Sequence, residues 1–443
     1  MVLGKTFKKI NSNAHLKEIF AGSFVAFILK IAGIIGTYIF TFLVSRYYGA
    51  EGMGVYSLSL SALLILEMCG TLGFRTSVLR FVGQFSAENK HHKINSLYKN
   101  ILEIIIPVSL FLAVVLFLFS NKIAVLIFHN GTLSIPFKII SLILPIHVVA
   151  AINIEIIRGL KNIPFSEYLR NLNESLFGIP LLLVITLFVS NYYVPIATFA
   201  IATAGAFLIS TPYVTKKMRS FSRNAEELLS KTELIKISLP MMITAFSALI
   251  MGKIGTIMIG MFSTTENAGI YDVALKLASV TSFVLYSINT IAAPKFSELY
   301  WSKNMEDLKK VVRLSSKLIF GFSFPVLLAL ILFPQFFMGI FGNEFIAGKC
   351  ALVFLTIGQF VNASSGSVGV FLNMTGKQRI FRNIILLTTL INVILNYLLI
   401  PKYGINGAAI ATMISVSFSN IGAALYIKVK SNIKTFYVPI ICK

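Results

Sequence analysis

Charge is scarce in this chain, and acid is scarcer than base. Asp, Glu, Lys and Arg make up 13% of the 443 residues, against 56% hydrophobic. A soluble domain of this length would not be so apolar or so poor in charge. Cysteine is nearly missing. Cys69, Cys350 and Cys442 lie far apart, which excludes a disulfide framework and any metal-ligand spacing. Of five histidines, His91 and His92 adjoin in a basic loop and His147 alone falls within an apolar run. No H-E-x-x-H, P-loop or G-x-S-x-G motif occurs.

What the chain does have is one apolar run after another, each long enough for the ~20 residues that cross a bilayer. Continuous runs mean helices rather than barrel strands, because each must satisfy its own backbone in lipid. The first begins near Phe20 and is too long for a cleavable signal. The spans predicted are 20–44, 52–74, 100–120, 135–157, 169–190 and 193–214, then 237–262, 268–293, 314–334, 346–371, 383–400 and 405–427. The expected fold is an all-α polytopic membrane protein of twelve transmembrane helices in two pseudo-symmetric six-helix lobes. Its expected parts are a basic N-terminal segment (1–19), an N-lobe (20–214), a linker (215–236), a C-lobe (237–427) and a basic tail (428–443).

The net charge of +22, from 39 Lys and Arg against 17 Asp and Glu, reads as a topology signal rather than a nucleic-acid surface. Basic residues cluster at Lys5–Lys17, Arg75–Lys99, Arg158–Arg170, Lys216–Lys236, Lys295–Lys317, Lys377–Arg382 and Lys428–Lys443, all on one side. The opposite turns hold chiefly Arg46, Lys122 and Lys402. Lys and Arg are retained on the cytoplasmic side, so both termini are expected there, in a multi-pass cytoplasmic (inner) membrane protein. The alternative reading of the basic loops is binding of anionic lipid or a polyphosphate headgroup; no nucleic-acid partner is expected.

The turn Arg46-Tyr-Tyr-Gly-Ala-Glu-Gly-Met-Gly-Val-Tyr56 has a relative at Phe262-Ser-Thr-Thr-Glu-Asn-Ala-Gly-Ile-Tyr271. Laying Tyr56 on Tyr271 also lays Gly54 on Gly269, Thr41 on Thr256, Leu79-Arg80-Phe81 on Pro294-Lys295-Phe296 and Asn89 on Asn304. So many matches at one offset indicate a duplicated unit. With six helices per copy, both copies enter from the same side, and two such lobes can rock around a central cleft.

These residues resemble the polysaccharide flippases of the MATE-like multidrug/oligosaccharidyl-lipid/polysaccharide exporter superfamily, the exporters of O-antigen, teichoic-acid and capsule units. The signatures are Ser45–Leu58, then Ile259-Gly260 with Ala268–Tyr271 and Pro294–Tyr300, then Thr375-Gly376-Lys377 with Asn392 and Asn396–Thr412. Many relatives carry an acid about a turn before the Ile-Gly pair. Here the stretch is Gly252-Lys253-Ile-Gly255-Thr256, which has none. The resemblance implies a transporter without a catalytic constellation. It would move an undecaprenyl-diphosphate-linked oligosaccharide from the cytoplasmic to the outer leaflet by alternating access, beside a glycan polymerase and chain-length machinery. No cofactor is implied beyond a coupling ion, H+ or Na+.

Charges inside spans are costly, ~2.5–3.5 kcal/mol each on insertion scales, and usually face a cavity. Lys30 shares a helix face with Thr37 and Thr41, and Lys253 with Thr256 and Gly260. Both helices are expected to be broken by glycine, at Gly33 and Gly36 and at Gly252 and Gly255. Glycine there serves close helix packing equally well. A diphosphate bears negative charge, and lysine suits it as a point-charge partner. The substrate candidates are therefore Lys30, Lys253, Asp272, Lys276, Arg46, Arg80 and Lys295. Snorkelling, or pairing with a neighbouring carboxylate, is the rival reading for the lysines. Asp272 and Lys276 also stand at the favourable i, i+4 spacing for a self-neutralising pair. Glu67 and Glu155 are candidates for ion coupling, with helix-to-helix pairing to a lysine as the rival. Gln84, Gln335, Gln359, Asn362, Asn392 and Asn396 either meet sugar hydroxyls or tie helices together. The rival functions are an ion-coupled multidrug exporter, a membrane-embedded glycan polymerase or acyltransferase, and a scaffold without transport.

Overall fold

The computed structural model describes residues 14–189, 191–221 and 230–437. Expectations placed on Lys5, Lys8, Lys9, Cys442, the middle of the linker and the end of the tail lie outside the described residues, as does the side chain of Lys17.

All regular structure among the described residues is helical. In chain order the helices are α1 (Ala14–Thr71), α2 (Phe74–Ala87), α3 (His91–Lys122), α4 (Ser134–Gly159), α5 (Ile163–Glu167), α6 (Asn173–Thr186), α7 (Val194–Ser220) and α8 (Lys231–Phe262). There follow α9 (Thr265–Ser279), α10 (Ser282–Trp301), α11 (Met305–Leu332), α12 (Pro334–Gly339), α13 (Lys349–Ser365), α14 (Val368–Met374) and α15 (Gln378–Ser431). Large apolar side chains stand outward along them, Ile291 at 79% exposure, Leu118 at 69% and Leu142 at 69%. Such surface belongs in lipid, and the protein is a multi-pass membrane protein.

Eight helical stretches among the described residues are long and apolar enough to cross a bilayer. Counting α9 and α10 as one span across their 42° bend makes nine. The sequence predicts twelve, and backbone breaks account for the difference. Two of the long elements are each a pair of helices run together, with non-helical backbone at Gly49 (φ 66°, ψ −168°) in α1 and at Gly404 (φ 54°, ψ −129°) in α15. The predicted span 169–190 is divided between a π turn at Tyr168–Leu172 and α6, each too short to count alone. Helix occupies most of every one of the twelve predicted intervals among the described residues. Prolines 107, 145, 180, 212, 240, 294, 325 and 401 sit inside these helices. Membrane helices tolerate them because neighbouring groups satisfy the freed carbonyls.

One expectation is corrected. The helices carrying Lys30 and Lys253 are not broken at Gly33, Gly36, Gly252 or Gly255; the one non-helical residue inside α1 is Gly49. Three of those four glycines serve approach instead. A Cβ at Gly33 would lie 2.5 Å from the Asn171 Cβ, one at Gly36 2.2 Å from the Ser175 Oγ, and one at Gly255 2.7 Å from the Tyr271 hydroxyl. A Cβ at Gly252 would meet nothing within 4 Å.

The chain forms two compact units. The first contains the residues up to Tyr47, Ala62–Lys122 and Thr132–Ile243. The second contains Tyr48–Ser61, Ile123–Gly131 and the residues from Thr244 onward. Within the second unit, the segment after the Gly49 break crosses α9 at Gly54 and Gly269. A Cβ at Gly54 would lie 1.8 Å from the Thr265 carbonyl oxygen, and one at Gly269 would lie 2.2 Å from that of Ala50. At the repeat offset Ala50 corresponds to Thr265 and Gly54 to Gly269, so the contact is reciprocal, as at an isologous interface. The same crossing is tied at its ends. Glu344 accepts from the Ala50 N–H at 2.7 Å, satisfying a donor freed by the break, and Asn130 donates to the Thr265 hydroxyl at 2.9 Å.

Candidate functional site

A buried constellation of charge lies in the second unit. Lys253 comes from α8, Asp272 and Lys276 from α9, and Ser57 from the second half of α1. Asp272 is 1% exposed. One of its carboxylate oxygens lies 3.4 Å from the Lys253 ammonium; the other lies 3.0 Å from that of Lys276 and accepts from the Ser57 hydroxyl at 2.9 Å. The Lys276 ammonium also stands 5.8 Å from the centre of the Tyr56 ring, a cation–π distance. The i, i+4 pair expected at Asp272 and Lys276 is present, and Lys253 joins it from the neighbouring helix. The rival reading for Lys253, a carboxylate partner on the next helix, is what the side chains show. Two ammonium groups share one carboxylate, so the formal charge of the trio is +1.

The first unit holds a second constellation. Glu67, 3% exposed, is held by Arg75 at 2.6 Å and His147 at 3.2 Å. Glu155 is held by Arg170 at 2.7 Å, with Arg158 at 3.8 Å and Arg75 at 3.9 Å. Arg75 thus reaches both carboxylates. Arg170 lies in the π turn at Tyr168–Leu172 and also approaches Glu167 at 4.0 Å. A cavity of about 150 Å³ opens among Glu67, Arg75, His147, Arg170 and Thr203. The partners of Glu67 and Glu155 are arginines and a histidine, not the lysines expected. Arg75 and Arg170 look like ordinary loop charges in the sequence, and nothing in their spacing marks them as buried partners. Removing one side of a buried pair costs ~3–5 kcal/mol, against little when both become apolar. Arg75→Met is therefore expected to lower stability by that amount, and Arg75→Met/Glu67→Leu by less than half of it, in detergent unfolding titrations.

Lys30 is half-buried on α1. Its face-mates Thr37 and Thr41 donate to the Gly33 and Thr37 carbonyls of their own helix, at 3.0 and 2.8 Å. Arg46 is exposed, 5.7 Å from the centre of the Phe42 ring. Arg80 is exposed, and Lys295 is exposed beside Glu298 at 2.9 Å. Asn392 ties the two halves of α15, donating to Ser415 at 3.0 Å, whereas Asn396 donates to the Asn392 carbonyl of its own segment at 2.8 Å.

Comparison with known proteins places these features in a family. The family model described as "Polysaccharide biosynthesis protein" matches residues 19–300, and the MatE model matches residues 240–398. An uncharacterized membrane protein of Methanocaldococcus jannaschii is 24% identical over 82% of this chain and 74% of its own length. A Haloferax volcanii protein named a probable low-salt glycan biosynthesis flippase is 24% identical over 40% of this chain and 38% of its own length. A Staphylococcus aureus capsular polysaccharide biosynthesis protein is 23% identical over 59% and 69%. Among solved structures, an inward-facing multidrug transporter of the MATE family superposes with a TM-score of 0.71 at 13% identity, covering 92% of this chain and 98% of that one. The lipid II flippase MurJ, inward closed, gives 0.70 at 15% identity, covering 92% and 87%. The fold is that of the MATE-like transporters, and none of these relatives is named for a catalysed reaction. With its model matched over well more than half of the sequence, the chain belongs to the polysaccharide biosynthesis protein family.

Proposed function

We propose that this chain is a flippase carrying a lipid-linked oligosaccharide with an anionic, pyrophosphate-type link from the cytoplasmic to the outer leaflet of the cytoplasmic membrane. Transport is by alternating access, with both termini cytoplasmic. The supporting observation is the buried trio of Lys253, Asp272 and Lys276. Two ammonium groups share one carboxylate within apolar helices, where an intramembrane charge is a functional signal by default. A phosphate approaching Lys253 and Lys276 competes with Asp272 for the same donors, and lysine is a compact partner for it. The carrier is an undecaprenyl-type chain that stays in lipid. Lys30 is proposed as a further contact to the link, and Arg46, Arg80 and Lys295 as basic groups along its route. A glycan polymerase and chain-length machinery would take the product.

Glu67 and Glu155 are proposed as the coupling carboxylates. Each is matched to an arginine, so a proton or sodium ion gains access when Arg75 or Arg170 changes partner. The rates under imposed sodium and proton gradients identify the ion.

Proteoliposomes loaded with lipid-linked oligosaccharide test the whole reading. The wild-type protein is expected to deliver the glycan to the opposite leaflet. Lys253→Ala and Lys30→Ala are expected to lower the rate by about tenfold, the equivalent of one lost contact of ~1.4 kcal/mol in the rate-limiting state. Wild-type rates in both variants remove these lysines from the site. No transfer of any lipid-linked glycan by folded protein removes the function. The MatE match over 240–398 favours a second reading, ion-coupled export of a small molecule. Dye efflux without glycan transfer in the same vesicles selects it.

A further inference from the structure

A cavity of about 400 Å³ lies wholly within the second unit and is separate from the charged trio. It falls within the roughly 300–1,000 Å³ of ligand pockets. Five carboxamides line it: Asn289 from α10, Gln359 and Asn362 from α13, Asn373 from α14 and Asn420 from α15. No charged or titratable side chain is among its lining residues. That composition is unlike the two charged constellations.

The lining is partly committed and partly not. Asn362 donates to Gln359 at 3.1 Å, Ser282 donates to the same oxygen at 3.5 Å, and Asn420 donates to the Val416 carbonyl at 2.9 Å. These bonds fix the walls. The Asn289 Oδ1 and the Ser367 Oγ are buried with no hydrogen-bond partner among the described residues. Ser367 is 5% exposed and follows the helix break at Gly366 (φ 70°). A buried polar atom without a partner costs ~1–3 kcal/mol, so such atoms in a cavity call for a polar occupant. A flat apolar wall stands among them, the ring of Phe381, with Gly369 so close that a Cβ there would lie 2.7 Å from its Cζ.

A carboxamide offers two N–H donors and one acceptor oxygen, and a hydroxyl both donates and accepts. Several carboxamides around a neutral hollow, beside an aromatic face, match a ring bearing several hydroxyls. They do not match a phosphate, which needs a cation, or an apolar drug, which would leave the amides unpaired. We propose that this cavity is a second binding site and that it takes an uncharged pyranose, the sugar head of the carried glycan. The proposal deepens the flippase reading and rests on it for the identity of the ligand. It assigns the glycan and its phosphate link to separate places on the same unit.

Purified protein in lipid nanodiscs, probed by saturation-transfer NMR with glucose, galactose and N-acetylglucosamine, tests it. At least one sugar is expected to bind. Asn289→Ala and Ser367→Ala remove side-chain oxygens that have no hydrogen-bond partner among the described residues, so both variants are expected to fold as the wild type does. Each is expected to weaken that sugar by about tenfold, the loss of one good hydrogen bond. Lys253→Ala is expected to leave sugar binding unchanged while weakening inorganic pyrophosphate. No binding of any of the three sugars, or binding untouched by both cavity variants, overturns the proposal. Sugar binding lost in the cavity variants, with no pyrophosphate bound by the wild type, keeps this site and overturns the anionic-link reading instead.

Discussion

Asp272→Ala is expected to lower the unfolding free energy by ~3–5 kcal/mol, because it strips the shared carboxylate from two mostly buried ammonium groups. Asp272 contacts Lys253, Lys276 and Ser57 at once, so no single partner can compensate. The control is a neutral core. Lys253→Met/Asp272→Leu/Lys276→Met is expected to recover most of the loss, since replacing every member of a buried ionic cluster by apolar groups is often neutral or stabilising. Export should not recover with it. Unfolding titrations in detergent give the first quantity and vesicle transport the second. A triple variant that regains both would show the trio to be a packing device; an Asp272→Ala protein of wild-type stability would show that the carboxylate carries little of the local charge.

Gly54→Ala and Gly269→Ala are expected to be almost as damaging, for a different reason. Each new Cβ would overlap a main-chain carbonyl, 1.8 Å away for Gly54 and 2.2 Å for Gly269. Backbone cannot rotate aside as a side-chain tip can, so the cost belongs at or above the top of the ~1–3 kcal/mol usual for overpacking. Gly252→Ala provides the contrast on a neighbouring helix. A Cβ there meets nothing within 4 Å, and exchanging a mid-helix glycine for alanine is expected to gain about 0.5–1 kcal/mol. Folded yield and thermal midpoints of the three variants check the ordering. A tolerated Gly54→Ala would mean that the two segments can part without loss of the fold.

Much of this was legible in the residues, and what was not has identifiable causes. Apolar runs predict helices well because the bilayer allows little else. They do not reveal where two spans continue through one glycine, as at Gly49 and Gly404, since hydropathy registers length and not direction. The Asp272–Lys276 pair was readable because its spacing is local. Lys253 reaches the same carboxylate from a different helix, and no linear spacing announces that. Arg75 and Arg170 were hidden by their position. They sit where a topology signal is expected, at the ends of spans, yet bend inward onto Glu67 and Glu155. The amide cavity was half visible: Gln359 and Asn362 stood out as polar groups inside a span, whereas Asn289 and Ser367 drew no notice until their neighbours were known.

Ser57 and Asp272 are 215 positions apart, the same offset that overlays the two halves of the chain, and they touch. In an assembly of two identical molecules, whatever lies on the dyad faces its own copy. Aspartate there would confront aspartate, and two carboxylates cannot comfortably share a buried spot; serine there would carry no charge at all. A single polypeptide is free of that restriction. One position supplies the hydroxyl and the other the acid, so two residues at the repeat offset meet with different chemistry.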